Sequence, residues 1–181
     1  SADPGDVVAG VTDKVEAVWA RNAVTKKWMF HTPQFTVANS AAYALANSYE
    51  PLTSLPAGGG FWVSATVPFN LVIPGGTSFN YDKPAFDALP PSFNLLSTGS
   101  TLTVQQFNAS VGAPINLNAL WAWDAARAKW HFHSPQLEQP GAPFSNCAYC
   151  TANGYQDFGG CTPQVPALSL QPGMGFWVEK F

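Results

Sequence analysis

Charge is what this chain has least of. Only 10% of its 181 residues are Asp, Glu, Lys or Arg, against about 25% in an average soluble domain. The 8 Lys and Arg form no basic patch or run, so nucleic acid is excluded as a natural partner. Long hydrophobic runs are also missing: no apolar stretch approaches the roughly 18 residues that span a bilayer. The fingerprints of common enzymes are missing too, with no GxSxG, HExxH, P-loop or dinucleotide-binding glycine motif. The 11 Asp and Glu are sparse; a pair such as Asp124 with Glu138 is the form a glycoside hydrolase would take. The expectation is a protein without catalytic apparatus, cofactor or metal.

What the chain does have is hydrophobic and aromatic matter. It is 46% hydrophobic and 14% aromatic, with 7 Trp, 15 Gly and 16 Pro. Frequent turns and many aromatics suit a β-rich extracellular protein. The opening "SADPGD" is small and polar, which suits a mature chain after processing and equally a boundary cut within a longer sequence.

The same phrases occur twice. "VEAVWARNAVTKKWMFHTPQF" (15–35) aligns with "LNALWAWDAARAKWHFHSPQL" (117–137), with 10 of 21 positions identical, Trp19/Trp121, Trp28/Trp130 and His31/His133 among them. "AYALANSY" (42–49) then matches "AYCTANGY" (148–155), and "SLPAGGGFWV" (54–63) matches "SLQPGMGFWV" (169–178). Three blocks in one order point to a duplicated unit. "EAVWA" and "KKWMFH" read as a hairpin about a polar turn. "SAAYALANSY" reads as a short helix capped by Ser40, and "GGGFWVSATV" as a turn and a strand. Before the second copy, "FNLLST" and "TLTVQQF" read as two further strands. The first copy lacks an "FNLL" strand in front, but "PFNLVIPGG" (68–76) follows it. Either that strand arrives late, or the first unit borrows a strand from elsewhere or leaves a sheet edge open.

These motifs resemble a repeat found in exported and surface proteins of proteobacteria, with a "WNL"-type strand, a "vWaWd…kWxFYsP" hairpin and a closing "GeGFWV". Here "FNL" replaces "WNL", and His31 and His133 stand where an aromatic is common. The resemblance implies an exported, cell-surface, bacterial setting and no particular reaction.

The expected architecture is α+β and mostly β: two pseudo-symmetric β-sandwich or barrel-like units, each with one short helix. The first unit spans 1–73, a Pro-rich linker 74–91, and the second unit, with a cysteine-bearing insertion, 92–181.

Residues shared by both copies read as scaffold, and alternation places Trp28 and Phe30, like Trp130 and Phe132, on one strand face. Residues that differ read as site. The clearest difference is Arg21 in the first copy against Trp123 in the second. Trp123 lies on the same face as Trp121, beside the hairpin turn, where exposed aromatics could stack on sugar rings. Asp124 and Gln136 are the expected polar partners. The 3 cysteines, Cys147, Cys150 and Cys161, all lie in the second copy. Cys150–Cys161 or Cys147–Cys161 would close a useful loop, whereas Cys147–Cys150 would be strained on a helix. The expected function is a secreted, non-enzymatic binding module for carbohydrate or cell-surface polymer, acting in adhesion. The alternative is a structural subunit of a surface layer or filament, self-associating by edge-strand complementation.

Overall fold

Hairpins built from alternating apolar residues organise both halves of the chain. The computed structural model describes residues 1–72, 79–113, 116–161 and 167–181. It is α+β, mostly strands, in two mixed sheets with short helices. Two units divide it, Ser1–Thr77 and Ser78–Phe181.

In the first unit, Asp3 caps α1 (Pro4–Val8) by accepting from the Gly5 N–H at 2.7 Å, with proline at the helix start. Strands β1 (Val15–Arg21) and β2 (Trp28–His31) pair antiparallel, placing Trp19 opposite Phe30 and Arg21 opposite Trp28. The Asn22 side chain holds their turn by accepting from the Val24 and Thr25 N–H groups. Helix α2 (Val37–Ala46) begins at Thr36, whose hydroxyl accepts from the Asn39 N–H. Ser40, the expected cap, is instead buried inside the helix, and its Oγ accepts from the Thr32 N–H at 3.1 Å. Strand β3 (Glu50–Pro51) runs parallel to β2, and β4 (Trp62–Ala65) antiparallel to β1, so the sheet order is β3-β2-β1-β4.

The second unit runs α3 (Lys83–Asp87), β5 (Ser92–Leu96), α4 (Val104–Ser110), β6 (Leu117–Asp124), β7 (Lys129–His133), α5 (Asn146–Asn153), β8 (Gln156–Asp157) and β9 (Phe176–Lys180). Its sheet order is β5-β9-β6-β7-β8. The "FNLL" segment is a strand, as expected, but "TLTVQQF" is a helix. Thr103 and Gln106 form a reciprocal capping box, and Val104, Phe107 and Val111 then fall on one buried face. Within the stretch expected to be linker, Asp82 caps α3, and Tyr81 and Phe86 enter the second unit's core.

Among the described residues each unit has one open sheet, not the stacked sheets or closed barrel expected, and more than one helix. The reason lies in the strands. Five of the eight β6 residues are buried, in the pattern BiBBiBiB, so both faces need cover. One face of each sheet carries the larger, mainly aliphatic core. In the first unit that core is Val7, Val8, Val15, Val18, Ala20, Leu52 and Leu55. The opposite face packs aromatics under a helix: Phe30 and Trp19 with Ala44 of α2, and Phe132 and Trp121 with Cys150 of α5.

Candidate functional site

The β6–β7 hairpin decides where the candidate residues point. Its register sets Trp121 opposite Phe132, Trp123 opposite Trp130 and Asp124 opposite Lys129. Residues two apart share a strand face, so Trp121, Trp123 and Trp130 lie on the aromatic side. All three are half-buried. The Trp123 and Trp130 rings have centroids 5.3 Å apart and planes at 60°. Trp121 packs on Phe132 and on Phe93 of β5, whose ring is 5.6 Å away and which is 43% exposed. In the first unit's β1–β2 hairpin, Arg21 lies over the Trp28 ring, 5.8 Å from its centroid. A cation on an aromatic face in one hairpin is thus a second indole in the other.

Asp124 is on the opposite face and is buried. It accepts from the Ala126 and Arg127 backbone N–H groups and from the Arg127 guanidinium. That guanidinium, more than any other group, holds its carboxyl below the usual range. Asp124 therefore shapes the hairpin turn and is not beside the Trp123 ring. Gln136 is exposed, and its Nε2 donates to Asn118 Oδ1 at 3.0 Å. Asn118 and Trp123 are five residues apart on β6, about 16 Å along the strand. The structure thus brings Trp121 and Trp123 together, adds Trp130 and Phe93, and leaves Asp124 and Gln136 apart from them. Trp130 was legible from alternation alone, but its recurrence in both copies marked it as scaffold. Phe93 required the β5–β9 pairing, which no short-range pattern reports.

On the core side of β7, His131 and His133 are buried. His131 Nε2 stands 3.6 Å from Asp124 Oδ2, and His133 Nδ1 stands 3.8 Å from Glu138 Oε1. Burial is the main cause that lowers both imidazole pKa values, against the opposing pull of the carboxylates. Burial also raises the carboxyl of Asp157, which lies near both rings. Asn146 of α5 secures the strand end: its Oδ1 accepts from the Ser134 N–H at 2.8 Å and its Nδ2 donates to the Ser134 carbonyl at 3.1 Å. The Ser134 hydroxyl in turn donates to the Asn118 carbonyl at 2.7 Å.

Of the two open cysteine pairings, the structure has Cys147–Cys161, across 14 residues of sequence. Cys150 is free and buried in the aromatic cluster. No helix among the described residues is long and apolar enough to cross a membrane. Compared with protein-family models, curated proteins and solved structures, the chain shows no significant match to any of them.

Proposed function

We propose that this protein is an exported, non-enzymatic binding module that takes carbohydrate or another cell-surface polymer on the aromatic face of its second unit. The observation that carries this reading is the half-exposed Trp123–Trp130 pair, with Trp121 and Phe93 next along the same face. Pyranose rings offer flat patches of C–H groups, and indole faces bind these with little need for charge. Two aromatic pairs on one sheet face, Trp123 with Trp130 of β7 and Trp121 with Phe93 of β5, suit neighbouring rings of a polymer better than a single small sugar. Trp123 and Trp121 keep the stacking role proposed for them, and Trp130 joins them. Asp124 acts indirectly, through the turn that sets the Trp123 position.

The reading also treats the chain as a duplicated unit in which only one copy carries the site. Three observations favour duplication. The order β3-β2-β1-β4 has the same strand senses as β8-β7-β6-β9. The register break falls at Val15/Ala17 in one sheet and Leu117/Ala119 in the other. Ser40 grips Thr32 as Asn146 grips Ser134. The disulfide supports an oxidising, exported setting.

The test is a glycan and polysaccharide panel read by retention and by intrinsic tryptophan fluorescence. Trp123→Ala should weaken the best ligand roughly tenfold, about the loss of one aromatic contact. Trp28→Ala in the first unit should leave binding unchanged. A ligand bound equally well by Trp123→Ala would refute the site.

A further inference from the structure

The two sheets differ in one strand. In the second unit β9 is flanked by β6 on one side and β5 on the other. In the first unit β4, in the corresponding place beside β1, is the last strand of the sheet among the described residues. Edge strands are usually blunted by charge, proline, bulges or short length. Strands β3 and β8, the far edges, are two residues each. Around β4, residues 61–67 read "FWVSATV" and hold no charge and no proline.

The chain contains two "FNL" segments. One, in β5, pairs antiparallel with β9: Phe93 opposite Glu179, Asn94 opposite Val178, Leu95 opposite Trp177 and Leu96 opposite Phe176. The other, residues 69–72, follows β4 directly and belongs to no strand. Folding back onto its own β4 in that register would leave only residues 65–68 for the turn. Thr66 opposes this, because its N–H and its hydroxyl both donate to the Lys14 carbonyl, at 2.9 and 3.3 Å. Phe69 and Leu71 instead pack on the aliphatic core, and Val72 stands 81% exposed. A segment of the right pattern, held back by a short, pinned connection, is the arrangement that favours exchange between copies.

We propose that the outer edge of β4 is completed by residues 69–72 of a second copy of this chain, given and received reciprocally. Carrying over the β5 register sets Phe69 opposite Ser64, Asn70 opposite Val63, Leu71 opposite Trp62 and Val72 opposite Phe61. Val72 then takes the place that Leu96 holds in the second unit, where Leu96 is 2% exposed in the core. This inference uses the duplication but not the sugar site, since Trp123 lies in the other unit; either reading can fail without the other.

Light scattering coupled to size exclusion, on the full chain from about 1 μM to about 1 mM, reads the assembly. A dimer should form with rising concentration and persist in reductant. Val72→Asp should weaken that dimer at least tenfold while circular dichroism and the melting of the single copy stay unchanged, because Val72 is exposed there. A peptide of residues 90–97, the β5 strand itself, should compete the wild-type dimer apart. A monomer at every concentration, a dimer dissolved by reductant, or a dimer indifferent to both Val72→Asp and the peptide would each overturn the proposal.

Discussion

Asn146→Ala should be among the most damaging single changes on the second unit's surface-facing helix. The amide spans two groups of one buried residue, the Ser134 N–H and the Ser134 carbonyl. Asn146 and Ser134 are each 7% exposed, so solvent reaches neither group well. Leaving a buried donor or acceptor unpaired costs about 1–3 kcal/mol. Two such groups, with partial relief from water, give a loss of about 2–4 kcal/mol. Over a unit of roughly a hundred residues this is a fall in melting temperature on the order of 10–20 °C. Asn146→Ser is the informative partner. Ser40 in the first unit satisfies the Thr32 N–H with one oxygen, so serine should restore one bond and recover about half the loss. Urea unfolding followed by tryptophan fluorescence measures both, with the second unit's transition fitted separately. If Asn146→Ala falls within about 0.5 kcal/mol of wild type, as harmless surface changes do, the amide does not hold the strand end. If serine and alanine are equally bad, the acceptor role is wrong.

Acid should weaken the protein. The folded pKa values of His31, His131 and His133 are lowered, chiefly by burial, below the ordinary value of 6.5. Their contribution is whole above that value and is lost as pH falls below it toward the folded values, because the unfolded chain then binds protons the fold refuses. The raised carboxyl of Asp157 works in reverse, its burial penalty easing as it protonates at lower pH. Urea midpoints should therefore drop between pH 7.5 and 5.5, and His131→Phe should flatten that drop; a flat wild-type profile would contradict it. Removing the Cys147–Cys161 bridge by replacing both cysteines with serine frees a 14-residue separation, worth about 3 kcal/mol by the chain-entropy relation. Thermal unfolding with and without reductant checks this, and an unchanged transition would mean the loop is ordered without its staple.

Local chemistry was the legible part of the sequence. The β1–β2 and β6–β7 hairpins, the strand after each glycine-rich turn and the β5 segment follow from alternation and turn residues. The helix starts were harder. Ser40 looked like a cap because serine precedes an alanine-rich run, but Thr36 lies one turn earlier and Ser40 is needed by Thr32. "TLTVQQF" looked like a strand because its β-branched residues outweighed Gln106, the residue that completes the capping box. The sandwich expectation failed because burial on both faces of β6 can be met by helices as well as by a second sheet. At the site, alternation paired Trp121 with Trp123 correctly, but sequence proximity suggested Asp124 as their neighbour. One step along a strand turns a side chain to the other face, and there Asp124 meets Arg127 and His131.

The third cysteine is an oxidation problem that the fold resolves by geometry. Cys150 lies buried with Ala119 and Phe132 in the second unit's aromatic cluster, and Ala44 with Ala17 and Phe30 in the first unit's. Its thiol lies 3.7 Å from the Phe132 carbonyl and 3.5 Å from that of Gln156, and burial pushes its pKa up to about 12. Thiol–disulfide exchange needs a thiolate with a clear line to sulfur; the folded Cys150 offers neither. Once α5 is docked, Cys147 and Cys161 are the pair left accessible to each other, so the folded second unit favours this one covalent isomer of its three cysteines. Mispairing becomes a hazard of the unfolded chain alone, and the rate at which the second unit packs sets how long that hazard lasts.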